Sequence, residues 1–211
     1  MGEFDDQLRV ARESHAKQQE ILRANAVIQE QRKAAKTAQA LRVAKFAGAI
    51  AYGLSHKDPP EQPTRQLIAY KNEWTKRRMF SPSKKIEHSR LISEGWDLAT
   101  NMDRAFTSDV GSYETTSSLK GLLLASTGKI YSYAVKVDAT GYRADSTPPP
   151  VPYSIRVTEG SETDWEYIHE VQLSGETAIA DKLIRIGLRS YNLSDIESEL
   201  ANLAIRHDLT V

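Results

Sequence analysis

The feature that most constrains the fold of this chain is a long stretch without helix breakers, residues 4–54. It contains no proline and no glycine before Gly48, and it is rich in Ala, Gln, Glu, Lys and Arg, which are good helix formers. The stretch predicts one helix from about residue 5 to about residue 54. At 1.5 Å per residue such a helix is about 75 Å long, which is more than a small domain can cover.

Part of this helix carries a sparse coiled-coil seam, whose members step by 3 and 4 residues as the interface positions of a coiled coil do. The seam consists of Ile21, Ala24, Ile28, Gln31, Ala35 and Ala38. Most of these side chains are small, and the seam runs into Arg42 and Lys45. We expect self-association or docking of a protein partner through Ile21, Ala24, Ile28, Ala35 and Ala38. The alternatives are a single exposed helix that frays at its start, or a helix that docks only in a larger assembly.

The end of the predicted helix has a different composition. Residues 46–54 are nearly all apolar or small, and nine residues are too few to cross a bilayer. Burial against the rest of the chain is therefore favoured over a lipid-surface role. Residues 55–63 contain three prolines, which is typical of a stiff linker. We predict a helix over 1–54, a Pro-rich linker over 55–63 and an α+β domain over 64–211.

A β-hairpin over residues 118–137 is predicted as the centre of that domain. Leu122, Leu123 and Leu124 form an apolar run, a polar stretch with Gly128 follows, and an alternating β-branched and aromatic run completes the pattern. An unbroken apolar run is typical of a strand buried on both faces, whereas alternation is typical of a strand buried on one.

The remaining segments predict a small α+β fold. Strands at 153–157 and 165–173 join the hairpin in an antiparallel sheet of about four strands that spans residues 91–173. Residues 91–98 predict either a strand with a glycine bend or a short turn of helix. Polar residues 101–118 predict a loop, and residues 64–80 predict a helix. Two C-terminal helices, over 176–189 and from Ser194 onward, are expected to cover the sheet, the second beginning with a Ser194–Glu197 capping box.

The sharpest local signal is a cluster of cations and aromatic side chains over residues 70–85. Phosphate neutralisation and base stacking require these two residue types. An amphipathic helix with lysines on its outer face produces the same string, and an acidic protein surface is a competing partner. The residues that would make this nucleic-acid or acidic-partner contact are Lys71, Trp74, Lys76, Arg77, Arg78, Lys84 and Lys85.

The net charge of zero conceals an asymmetry between the two parts of the chain. Residues 1–90 contain 18 Lys and Arg against 10 Asp and Glu, and residues 91–211 contain 10 against 18. Such segregation indicates an interaction with a charged partner, or packing of one part on the other. Two solvated surfaces with unrelated charges are the plainer interpretation.

Several chemistries have no support in the sequence. The chain has no cysteine, which excludes disulfides, thiolate metal sites and cysteine nucleophiles. It also lacks a phosphate-binding glycine loop, a nucleophile elbow and a dinucleotide fingerprint, so we expect no cofactor and no metal. A metal-dependent nuclease is the one enzymatic alternative, with Glu170 and either Asp145 or Asp164 holding a cation. The acidic start of the chain does not resemble a signal peptide, so a cytoplasmic location is expected.

These observations favour a non-enzymatic interaction or assembly protein. The N-terminal helix would associate with itself, giving a homo-oligomer, or with a protein partner, and the α+β domain would present a binding surface. A nucleic-acid-binding accessory protein that uses residues 70–85 is the second hypothesis, and the nuclease is the third.

Overall fold

The computed structural model of the protein describes residues 2–74, 85–109, 112–138, 151–161, 163, 166–173, 184–186 and 189–210. Within these ranges the fold consists of a long N-terminal helix, a six-stranded mixed sheet, a separate pair of short strands and a C-terminal helix. Helix α1 spans Gly2–His56 and helix α2 spans Leu193–Arg206. The long N-terminal helix predicted from composition is therefore present.

The strands follow in chain order between the two helices. Their bounds are β1 Arg65–Trp74, β2 Lys85–Asp109, β3 Ser112–Ala125, β4 Ile130–Asp138, β5 Ser154–Thr158, β6 Tyr167–Glu170, β7 Ile184–Ile186 and β8 Arg189–Tyr191. The six-stranded sheet has the order β5-β1-β2-β3-β4-β6, and β7 pairs with β8 alone. Strand β5 runs parallel to β1, whereas the other neighbours in the sheet are antiparallel.

The predicted central hairpin is confirmed as β3 and β4. Leu124 lies opposite Ile130, and the two strands are joined by a turn in which Gly128 has a φ of 81°. Leu122, Leu123 and Leu124 are all fully buried, as an apolar run that faces a core on both sides requires. The turn also lies against α1, because a Cβ added to Gly128 would be 2.9 Å from the Cα of Gly48.

One face of the sheet is covered by the two helices. The last third of α1 and most of α2 contribute their apolar stripes to a core that also contains Trp96 and Leu98 of β2. The buried positions of α1 recur every three or four residues, which places them on one side of the helix. They are Ala40, Val43, Ala47, Ile50, Ala51 and Leu54.

The opposite face of the sheet carries a second, smaller apolar cluster. It is built from side chains of β1, β3, β4 and β5, which alternate with the helix-facing residues along each strand. Its buried members are Leu67, Leu119, Leu123, Tyr133, Ile155 and Val157. The sheet therefore has a core on both faces.

The predicted antiparallel sheet of about four strands under two C-terminal helices is wrong. The predicted helix over residues 64–80 is strand β1 over Arg65–Trp74, where burial alternates with Arg65, Leu67 and Ala69 inward. The predicted loop over 101–118 belongs to β2 and β3 wherever the structure describes it. Both errors have the same cause. A polar or ambiguous segment forms a strand when neighbouring strands supply hydrogen-bond partners for its backbone N–H and C=O groups.

The first of the two predicted C-terminal helices is also wrong where the structure describes it. Residues 184–186 and 189–191 are the short antiparallel strands β7 and β8, and residues 174–183 and 187–188 lie outside the described ranges. The last helix is confirmed, but its cap differs from the prediction. The Asn192 side chain accepts hydrogen bonds from the backbone N–H groups of Ser194 and Asp195, and the Asp195 carboxylate accepts one from the backbone N–H of Asn192. This is a capping box that begins two residues earlier than predicted.

Candidate interaction surfaces

The first candidate surface is the part of α1 that extends away from the sheet. We call residues 12–38 the α1 arm; every one of its side chains is exposed, and it is about 40 Å long. The arm includes all five residues predicted for self-association. Ile21 is 59% exposed and Ile28 is 45% exposed, whereas Ala24, Ala35 and Ala38 present only methyl groups.

The seam on the α1 arm points in a different direction from the buried stripe of the same helix. At 3.6 residues per turn, the mean direction of the seam lies about 110° around the helix axis from the residues buried between Ala40 and Leu54. Leu22, which is 67% exposed, lies instead on the side of the buried stripe. A partner on the seam would therefore approach from the flank of α1 and would not compete with the sheet for the same side.

The boundary between the arm and the docked part of α1 is marked by two polar contacts with α2. Gln39 Nε2 donates to Ser194 Oγ at 2.9 Å, and Arg42 pairs with Glu197 at 2.9 Å. Immediately after Gln39 the burial pattern begins at Ala40. The arm thus ends where α1 first meets another element.

The second candidate surface lies at the end of the β1–β2 hairpin. Trp74 and Lys85 face each other across the ladder, and Trp74 is 67% exposed. Lys71 is also exposed and forms a 3.1 Å ion pair with Glu73. Predicted contact residues Lys76, Arg77, Arg78 and Lys84 lie outside the described residues. The structure thus places Trp74 and Lys85 together on one face of the sheet and Lys71 on the other face. Lys71 and Trp74 lie on a strand and not on the predicted helix.

A polar network inside the sheet was not foreseen from the sequence. Arg65 of β1 donates from Nε to both carboxylate oxygens of Asp97 on β2, at 2.7 and 3.0 Å, and from Nη1 to the carbonyl oxygen of Pro152. Tyr133 of β4 donates to Asp97 at 3.2 Å, and Gly121 leaves room for its ring. The network ties three strands and the chain before β5 together.

The electrostatics of this network favour a structural role. Burial raises the pKa of the Tyr133 phenol, and the Asp97 carboxylate raises it further. Burial alone would lower the pKa of Arg65, but the hydrogen bond to Asp97 and the electrostatic effects of Tyr133 and Asp97 together outweigh it, so that this pKa lies above its usual value. At neutral pH Tyr133 is therefore a hydrogen-bond donor and Arg65 a cation, and neither is an effective general base.

The nuclease hypothesis gains no support from the residues that are described. Glu170 is exposed and pairs with Lys129 at 2.9 Å, while Asp145 and Asp164 lie outside the described ranges. Among the described residues no group of three or more His, Cys, Asp or Glu side chains is placed to hold a metal ion. His169 stacks on Tyr167 with ring centroids 4.9 Å apart.

The fold and its surfaces define an α+β protein with an exposed helical arm and an exposed hairpin end. The chain matches no model of a known protein family, no curated protein and no solved structure. Over the part of the chain that the structure describes, no helix is both long enough and apolar enough to cross a membrane.

Proposed function

We propose that this chain is a non-enzymatic interaction or assembly protein, in which the α1 arm carries the contact and the sheet domain presents a further binding surface. The observation that supports it is the exposure of Ile21, Leu22, Val27 and Ile28, at 45–67%, on a helix that extends about 40 Å beyond the core. Helices in proteins take most of their stability from packing one face. The arm has no such packing within the described part of the chain.

A second copy of the chain is the partner we propose for the seam. Ile21 and Ile28 are seven residues apart, which is one coiled-coil repeat, and the contact position between them is Ala24. The small side chain of Ala24 lets two seams approach closely. The seam also lies away from the side that α1 presents to the sheet. Two arms can therefore pair side by side while each keeps its own domain.

The expected association is weak because the seam is small. Burying an isoleucine side chain fully contributes about 1.5–3 kcal/mol, and only two of the five residues predicted for self-association are larger than alanine. Association costs at least about 4 kcal/mol in lost translational and rotational freedom. We therefore expect a dissociation constant on the order of micromolar or weaker.

The test is the solution mass of the full chain by light scattering across a concentration series. We compare the unmodified chain with Ile21→Lys and Leu22→Lys, two neighbouring and similarly exposed apolar residues that lie on different sides of the helix. Lysine is at least as good a helix former as isoleucine, so a lower mass in Ile21→Lys cannot be attributed to loss of the helix. Substitution is preferred to deleting α1, because Ala40–Leu54 of the helix belong to the core.

We expect Ile21→Lys to be monomeric at concentrations where the unmodified chain and Leu22→Lys are oligomeric. Ile28→Lys should behave like Ile21→Lys. A larger effect of Leu22→Lys than of Ile21→Lys would place the contact on the other side of the arm. A monomeric unmodified chain throughout the series would reject self-association and leave a different protein as the partner.

A further inference from the structure

A face of the sheet remains open where the helices do not reach. Residues directly opposite each other in a ladder point to the same face, and Ile68 and Trp74 of β1 lie opposite Leu91 and Lys85 of β2. Arg156 of β5 lies beside Ile68. We call this surface the open sheet face, and it consists of Ile68, Tyr70, Trp74, Lys85, Leu91 and Arg156.

The open sheet face is accessible although it continues the face on which α1 and α2 pack. Trp74 is 67% exposed and Leu91 is 52% exposed, and Lys85 and Arg156 are exposed as well. The core under the helices instead begins further along β2, at Trp96 and Leu98. Trp74 therefore presents an accessible aromatic ring near one end of this face, and Leu91 presents a separate apolar side chain about 20 Å away along the strands.

Flat rings and cations alternate on this face. The guanidinium carbon of Arg156 lies 5.4 Å from the centroid of the Tyr70 ring, and Arg156 also forms an ion pair with Glu87, which neutralises the acid there. Tyr70 and Trp74 are four residues apart on one strand, so their Cα atoms are separated by about 13 Å. Each ring can therefore meet a different part of one extended ligand.

The sequence between the two strands is strongly basic. Strand β1 ends at Trp74 and β2 begins at Lys85, and the ten residues between them in the sequence include four cations and no acid. A polyanion is the ligand that such a charge attracts. A polyanion that also has flat apolar groups can stack on the aromatic rings as well as pair with the cations.

We propose that the open sheet face binds single-stranded nucleic acid, with bases stacked on Trp74 and on the Tyr70–Arg156 pair and phosphates near Lys85. Base stacking on aromatic rings and on arginine planes is the usual mode of single-strand recognition. A duplex does not fit this mode, because its bases are already stacked on each other. This inference is independent of the α1 arm, whose residues lie on another element.

The test is fluorescence anisotropy with a labelled deoxythymidine oligonucleotide of about 15 nucleotides and the full chain at about 50 mM salt. We expect binding that weakens as salt is raised and that is stronger than binding to a duplex of equal length. Trp74→Ala should lower the affinity about 5- to 150-fold, the loss of one stacked base. Trp74→Phe, which keeps a ring, should retain most of the affinity.

The control is Tyr52→Ala, which removes an aromatic ring of α1 that is 65% exposed and should leave the affinity unchanged. Absence of binding at low salt would overturn the proposal. It would also be overturned if charge reversal of Arg77 and Arg78 abolished binding while Trp74→Ala did not, since the contact would then be to phosphates alone. Displacement by polyglutamate as effective as by unlabelled oligonucleotide would identify an acidic protein as the partner and overturn it as well.

Discussion

Two parts of the same helix have opposite environments. Residues 12–38 of α1 are all exposed, whereas Ala40, Val43, Ala47, Ile50, Ala51 and Leu54 are almost completely buried. Both parts are rich in alanine and both are helical. Helix formation is therefore a common property of the two parts, and only the second derives stability from a core.

This difference shows that a segment can have the propensity to form a helix without packing against a core. The α1 arm has the composition of a good helix, but its side chains are exposed along its whole length. The docked part contains glycines at positions 48 and 53 and a phenylalanine at 46, which are poorer helix formers. It is nevertheless held in place because its stripe fits the core beside Trp96 and Leu124.

The largest expected effect compares two isoleucines of α1. Ile50→Ala should lower the free energy of unfolding by about 2–5 kcal/mol, because Ile50 is completely buried and the substitution leaves a cavity. Ile28→Ala, in the arm, should change it by less than about 0.5 kcal/mol in the monomer. Denaturant unfolding of the two variants at low protein concentration measures both values. Equal losses would mean that the arm and the docked part unfold as one unit.

A smaller effect is expected from changing glycine and alanine in the two parts. Gly48→Ala should stabilise the protein by about 0.5–1 kcal/mol, because an added Cβ meets nothing within 4 Å and alanine loses less conformational freedom in a helix. The opposite substitution in the arm, Ala35→Gly, should lower the helical signal in circular dichroism without shifting the unfolding midpoint. A shift in that midpoint would show that the arm contributes to global stability.

The smallest expected effect is a pH dependence of stability that arises just after the docked end of α1. Lys57 donates to Glu61 at 3.0 Å and to the carbonyl oxygen of His207 at 2.9 Å, and His207 lies 3.3 Å from Glu61. The hydrogen bond from Lys57, followed by that from His207, holds the pKa of Glu61 below its usual value of 4.5.

Because this pKa is lowered on folding, the contribution of Glu61 is present above the unfolded pKa and is lost as pH falls through the folded one. The midpoint of the unmodified chain should therefore fall below about pH 4.5 more steeply than that of Glu61→Gln. The difference should be small, since both side chains of the pair keep about a third of their surface in contact with solvent. The unfolding midpoints of the two chains, measured by thermal unfolding between pH 3 and pH 7, give this difference. Parallel curves for the two chains would contradict the assignment.

The candidate surfaces could be predicted in part from the sequence. The seam residues from Ile21 to Ala38 were identified correctly as part of a helix, because a helix places residues three and four apart on one side without any contribution from the rest of the chain. Their use in self-association stays a prediction. The sequence identifies Lys71, Trp74 and Lys85 by their chemistry, but it predicts a helix for Lys71 and Trp74, because Leu67, Ile68 and Trp74 also match a helical spacing.

The network around Asp97 carried no signal in the sequence. Its partners Arg65 and Tyr133 are 32 and 36 residues away along the chain, and each residue type is common on a solvated surface. Only the register of β1, β2, β3 and β4 brings the three side chains together. The burial of Arg65, at 6% exposed, follows from that register and from no local pattern.

The elements whose causes are local can be predicted from the amino-acid sequence. These are α1, from a long run of helix formers, the β3–β4 hairpin, from an apolar run and a turn, and α2, from an apolar stripe behind a polar cap. Contacts between distant parts of the chain are the reason that residues 65–74 form a strand, that α1 docks from Ala40 onward and that the sheet is mixed. The physical reason is that a strand completes its hydrogen bonds with residues far along the chain, so its stability depends on neighbours that no local pattern describes.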